Sequence, residues 1–209
     1  MKWVSMRPTS GGVVGPARHY TVMQINGARH GRSVSDVLSR IRVRPATRED
    51  IPALVRISNT SVAEDEDVGF STPRSESLFS DARWLSAVWE EPNRVRGEEL
   101  FVAVLDDEVA GFVTTEDRGA EMELINIEVA RELQGQGVGT HLVRFVEERA
   151  RRLGKRAVTL GTSRNAAGTP WKSFSWWQSR GYTVTGEEEN EWTQRIGPGV
   201  REIRMRKDL

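Results

Sequence analysis

Three glycines in five positions, Gly135, Gly137 and Gly139, stand in the stretch ELQGQGVGTHLVRF (132–145) and run straight into helix-forming sequence. No other feature of the 209-residue chain limits its fold as sharply. Glycine at the mouth of a helix sacrifices rigidity, and in return a ligand can come close to the main chain. A row of backbone N–H groups at a helix N-terminus holds an anion without help from lysine. Two well-known phosphate loops do not fit. A Walker loop ends Gly-Lys-Ser/Thr, whereas Gly139 precedes Thr140 and His141. A dinucleotide fingerprint needs G-x-G-x-x-G and an acid closing the next strand, but the spacing is G-x-G-x-G and the next strand ends LGTS. A tight strand-to-helix turn without ligand is the plain alternative.

The pattern around the glycines is that of one α/β domain. IRVRPAT (41–47) alternates as a strand, and Thr47 with Asp50 forms a capping-box start for a helix over TREDIPALVRISN. In SDARWLSAVWEE (80–91), Trp84, Leu85, Val88 and Trp89 fall at helical spacing. LFVAVLDDEVAGFVTT (100–115) reads as a hairpin turning at Asp106-Asp107, and EMELINIEVA (121–130) as a strand. Leu142, Val143, Phe145, Val146 and Ala150 make one apolar helix face that stops near Gly154. RAVTLGTS (156–163) is a buried strand, PWKSFSWWQSRGY (170–182) a helix from Pro170 to Gly181, and YTVTGE and VREIRMRKD are closing strands. The order β-α-α-β-β-β-α-β-α-β-β predicts a mixed sheet with helices on its faces.

Gln134-Gly135-Gln136-Gly137-Val138-Gly139 matches the Q/R-x-x-G-x-G/A signature of the GNAT N-acetyltransferase superfamily. With the preceding INIEV strand and a downstream W-x-x-x-G-Y in place of the family's Y-x-x-x-G-F, the chain from Ile41 to Lys207 resembles that family. The resemblance implies a mostly antiparallel central sheet flanked by helices, with splayed fourth and fifth strands. It implies acetyl-CoA as cosubstrate, its pyrophosphate resting on the amides of Gln134, Gly135, Gln136, Gly137, Val138, Gly139 and Thr140. The pantetheine arm would pair like an added strand with Ile127 and Val129, and Asn165 would contact the coenzyme.

The implied chemistry is transfer of acetyl from a thioester to a primary amine. The amine must lose a proton, the oxyanion needs a donor, and the thiolate must leave. By resemblance the donor is the backbone N–H near Val129. Glu123 aligns with a position that carries the general base in some members, and Glu128 lies on the same strand. On a regular strand the two would face opposite sides, unless a bulge intervenes. For either carboxylate the bland reading is a solvated strand end. The family's usual acid, a tyrosine, is replaced by Trp177, and an indole does not supply that proton. Ser175 or Ser173 would assist, though a thiol of pKa about 8.5 leaves readily as thiolate. The loop SRNAAGTPWK is longer than the family's usual link, which puts the register of Asn165 in question.

Composition narrows the partners. Thirty basic and thirty acidic residues balance, which points away from nucleic acid and anionic membranes. There is no cysteine, which excludes disulfides and thiolate sites, and the three scattered histidines suggest no metal. No apolar run is long enough to span a bilayer, so a cytoplasmic protein is expected. Residues 1–40 read as a basic extension preceding the domain at 41–209, with a strand-like YTVMQI inside it. That arm also has the composition of a transit peptide, or of a segment docking on a second subunit in a homodimer. The expected acceptor is a small-molecule or peptide amine. A protein N-terminal or lysine acetyltransferase is the enzyme alternative, suggested by NEWTQRIGPGVREIRM, and an acyl-CoA-binding module without catalysis is the other. The run Glu187, Glu188, Glu189, Glu191 beside Trp171, Trp176, Trp177 and Trp192 reads either as core plus a solvated turn or as an acidic, aromatic mouth for a cation.

Overall fold

A computed structural model describes residues 38–60 and 78–209. Most of the basic extension, with its expected strand, therefore lies outside the described residues.

One sheet of nine strands organises the rest. In chain order the elements are β1 (Arg42–Pro45), α1 (Ile51–Thr60), α2 (Ala82–Ala87), β2 (Trp89–Glu90), β3 (Arg94–Val95), β4 (Glu98–Leu105), β5 (Glu108–Arg118) and β6 (Glu121–Val129). Then come α3 (Val138–Arg152), β7 (Ala157–Arg164), α4 (Lys172–Gln178), β8 (Thr183–Glu188), α5 (Glu191–Ile196) and β9 (Arg201–Asp208). The sheet runs β2-β3-β4-β5-β6-β7-β9-β8, with β1 also on β4. Every pairing is antiparallel except β6 with β7, and that one stops early, from Glu121–Ala157 to Leu124–Leu160. Beyond Leu124 the strand β6 stays with β5, while β7 follows β9 as far as Arg164. The two parallel strands therefore open into a fork, the splay that the resemblance implied.

Both faces of the sheet are covered, and alternation decides which side chain goes where. Phe101, Ala103 and Leu105 of β4 pack with Leu142, Val143, Val146 and Ala150 of α3. Leu100, Val102 and Val104 turn the other way and pack with Ile51, Leu54 and Ile57 of α1 and with Leu85 of α2. Asp106 and Asp107 both take positive φ, +53° and +67°, at the tip of the expected hairpin. The Thr47–Asp50 capping box forms, and Arg44 clamps Asp50 with two hydrogen bonds of 2.7 and 2.8 Å.

Two local expectations change. The helix expected over 80–91 ends at Ala87, and Trp89 enters a short ladder opposite Val95. Pro92 lies just downstream, and a proline biases the residue before it toward extended backbone. Trp89 is still buried, now as a strand residue in the α1-side core. The stretch GEEENEW yields the end of β8 and then a helix, because Asn190 and Thr193 form a reciprocal cap.

Candidate active site

The fork exposes main chain. The Ala130 N–H donates to Ala110 O on β5, so the two-residue alternation turns the N–H and C=O of Ile127 and Val129 away from β5, into the fork. Val129 O already receives the Gln134 side-chain amide, at 3.2 Å. On the β5 side the approach is so close that a Cβ at Gly111 would lie 2.6 Å from Glu128 O.

The glycine stretch closes the open end of the fork. Gly135 and Gly137 have φ of +76° and +91°, and Gly137 is the N-cap of α3. No side chain caps that helix, so the first-turn N–H groups face outward without an internal acceptor. Val138 anchors the turn in the core, and Gly139 is buried within it. Arg180 reaches the same turn: its guanidinium lies 3.4 Å from the centroid of Trp176 and donates to Thr140 Oγ1 at 2.6 Å. Burial, with Arg144 nearby, pulls its pKa down to about 10. Ile127, Val129 and the run from Gln134 to Thr140 are thus brought together. Asn165 follows the end of β7, the other prong of the fork, with its side-chain oxygen accepting from the Thr169 N–H at 2.9 Å.

The carboxylates depend on a bulge. Thr114 pairs with Asn126 but Thr115 with Leu124, so Ile125 is an extra residue in β6. Met122, Leu124, Ile127 and Val129 consequently all face α3, and Glu123, Asn126 and Glu128 all face the α1 side. Burial pushes the Glu123 carboxyl up, but Arg204 at 2.7 Å and Arg118 at 2.8 Å outweigh it and hold it below the ordinary range. Glu128 accepts from Asn126 Nδ2 at 3.1 Å and from Ser58 Oγ at 3.4 Å. Ser175 is exposed, its hydroxyl directed to Lys172 O, and Ser173 is buried 3.0 Å from Thr162.

Trp177 lies in the α3-side core, fully buried and edge-on to Trp176 and Tyr182. In the acidic run, Glu187 pairs with Arg164 and Arg201, and Glu189 with Arg201. A cleft of about 420 Å³ lies over β7, β8 and β9, lined by Glu121, Thr159, Thr185 and Arg204 among others. It sits at the paired end of β6 and β7 rather than in the fork. Among the described residues no group of three His, Asp or Glu is placed to hold a metal, and no helix is long and apolar enough to cross a membrane.

Reading the sequence alone passed over Glu98, Thr114, Arg118 and Arg204. One signal was available. In EELFVAVL, Glu98 has the parity of Leu100 and Val102, which puts a carboxylate on a core-facing row.

The profile of the acetyltransferase (GNAT) family matches residues 60–169, more than half of the chain. The chain belongs to the GNAT acetyltransferase family. This GNAT chain is 36% identical over 92 residues to probable N-acetyltransferase 14 of Xenopus tropicalis, a match covering 42% of each protein, so it spans less than half of that relative's length. Its fold is similar to that of a ribosomal-protein-alanine N-acetyltransferase from Brucella melitensis, with a TM-score of 0.57 and 23% identity over 80% of this chain and 99% of the other. It is also similar to the PaiA N-acetyltransferase from Thermoplasma acidophilum, solved in complex with coenzyme A, with a TM-score of 0.59 and 18% identity over 81% and 99%.

Proposed function

We propose that this GNAT domain transfers the acetyl group of acetyl-CoA to a primary amine, of a small molecule or a peptide, by direct attack. The observation that carries the reading is the fork: main-chain groups of Ile127 and Val129 turned into a gap that ends at an uncapped helix N-terminus. An extended arm with amide groups fits such a gap as an added strand. A pyrophosphate suits the amides from Gln134 to Thr140, and Arg180 supplies a positive charge beside them. The Val129 N–H, turned into the fork, is the donor for the oxyanion.

The two predicted bases differ in their partners. Glu123, held by two arginines, stays charged and binds protons poorly. Glu128, on the same side, accepts from Asn126 and Ser58. No phenol is needed at Trp177, because the thiolate is a competent leaving group at a pKa of about 8.5. An exposed Ser175 gives that step little help. We take residues 41–209 as the catalytic domain and 1–40 as its basic extension, in a cytoplasmic protein.

Calorimetry with acetyl-CoA, followed by thiol release in the presence of an amine panel, tests the reading. Binding with turnover supports it. Binding without turnover across small amines and free peptide N-termini would favour an acyl-CoA-binding module.

A further inference from the structure

We propose that Glu98, Thr114 and Asn126 form the receptor for the acceptor's ammonium group, and that Glu98 takes its proton. This rests on the acetyltransfer reading above and names the class of acceptor that the site admits.

The three residues stand on adjacent strands, β4, β5 and β6, and on one face of the sheet. Glu98 shares the parity of Leu100 and Val102, Thr114 that of Phe112, and all of these turn to the α1 side. Thr114 and Asn126 are direct partners in the ladder. Both are more than nine-tenths buried, at 0% and 7% exposed; among the described residues Asn126 Oδ1 has no hydrogen-bond partner and Thr114 Oγ1 none of regular geometry. The Asn126 amide is committed to Glu128, which leaves its carbonyl as the unused end. Thr114 Oγ1 stands near enough to Glu98 to favour its charged form, yet makes no hydrogen bond of regular geometry.

A buried polar atom left without a partner costs about 1–3 kcal/mol, so two on one spot call for a ligand. Its chemistry follows from theirs. An asparagine oxygen and a carboxylate accept, so the ligand donates, and beside a carboxylate it is cationic. The oxygens of the ladder partners Thr114 and Asn126, each ~2.9 Å from one tetrahedral nitrogen, would lie about 4.7 Å apart, close to the cross-strand Cβ spacing of about 4.5–5.5 Å. A primary ammonium has that shape.

Glu98 is a buried carboxyl of this face with no ion pair among the described residues. The groups facing it are Thr114 and Glu116 on β5, Glu123 on β6 and Arg96 in the preceding turn. Glu116 is paired with Arg118, and Glu123 with Arg118 and Arg204. No Lys or Arg among the described residues forms an ion pair with Glu98. Burial, reinforced by Glu116 and Glu123, pushes its carboxyl up to about 7, where a base gives and takes protons most readily.

The step balances. The Glu98 carboxylate removes one proton from R–NH3+, leaving R–NH2. The nitrogen pair forms the C–N bond at the thioester carbon while the carbonyl pair moves to oxygen. Collapse restores C=O and breaks C–S, the bonding pair leaving with sulfur. The attacking nitrogen loses its second proton to the thiolate, and Glu98 releases its own to solvent.

The test is Glu98→Gln, assayed by thiol release from acetyl-CoA with spermidine and with an alanine-initiated tripeptide across pH 5.5–9. We expect kcat to fall by about 10²–10⁴, the acid limb of the wild-type profile to vanish, and calorimetric affinity for acetyl-CoA to hold. Thr114→Val, which removes only the hydroxyl, should raise the KM for the amine with a smaller change in kcat. Glu98→Gln with wild-type kcat and an intact acid limb overturns the inference and leaves acetyltransfer standing. Loss of acetyl-CoA affinity in Glu98→Gln makes Glu98 structural and also overturns it. A wild-type chain that binds acetyl-CoA and acetylates neither amine removes the acetyltransfer reading, and this inference with it.

Discussion

Two carboxyl groups, on opposite faces of the sheet, are buried to nearly the same degree: Glu147 is 6% exposed and Glu98 7%. On the α3 side, Glu147 receives Lys207 Nζ at 2.8 Å on both oxygens and Tyr182 Oη at 3.3 Å. That acid is satisfied, and its surroundings are the aliphatic core of α3 with Trp177 and Tyr182. On the α1 side, Glu98 is bordered by Thr114, Glu116 and Glu123, with two unsatisfied oxygens nearby. Equal burial therefore has two meanings. A completed network holds the fold together, whereas an incomplete one keeps interaction free energy in reserve for a ligand.

Breaking the completed side should give the largest effect. Lys207→Met strands the Glu147 carboxylate in the core, and we expect a loss of about 3 kcal/mol in chemical denaturation, since removing one partner of a buried pair typically costs that much. Acetyl-CoA affinity per folded molecule should be nearly unchanged. A loss below ~1 kcal/mol would mean that the two acids are not the contrast drawn above.

The fork comes next. Gly137→Asp puts a side chain at φ +91° and a negative charge beside the uncapped amides of α3. We expect acetyl-CoA affinity to fall at least ~30-fold, or about 2 kcal/mol, with the fold retained by circular dichroism. Unchanged affinity in calorimetry would remove the phosphate cradle.

The incomplete side sharpens the contrast through pH. The Glu98 carboxyl is pushed from 4.5 to about 7 by burial, so the folded chain resists its ionisation. Below pH 4.5 the group is neutral, folded or unfolded, and has no such penalty. The penalty grows as pH rises toward 7 and is complete above it. Glu98→Gln should therefore stabilise the protein by about 1–3 kcal/mol at pH 8 and add almost nothing at pH 4.5. A pH-independent difference in denaturation midpoints would contradict this.

The smallest effect belongs to the acidic run. Glu187 and Glu189 already face Arg164 and Arg201 on an exposed edge. Changing both to Gln should shift stability by less than ~1 kcal/mol and leave the amine KM insensitive to salt. A KM that rises at low salt would make the run part of the acceptor mouth.

Much of this molecule was legible in one dimension because its signals are local. The glycine signature, the apolar face from Leu142 to Ala150 and the turn at Asp106-Asp107 act within a few residues, and each appears where expected. The end of α2 was less legible, since the spacing of Trp84, Leu85, Val88 and Trp89 suits a helix even though Trp89 is placed by pairing with Val95. The face shared by Glu123 and Glu128 was not legible, because one extra residue, Ile125, reverses the alternation and only the partner strand reveals it.

What the sequence by itself determined was the order of the main elements, the family and the place of the glycine turn before α3, because spacing and backbone propensity are properties of contiguous residues. Only tertiary structure decided which acid is ion-paired. Glu123 is neutralised by Arg118 from β5 and Arg204 from β9, whereas Glu98 has no ion pair among the described residues, between strands that meet only in the sheet. A carboxyl's proton affinity is set by whatever surrounds it within a few ångströms. In a sheet, those neighbours come from strands far apart in the chain.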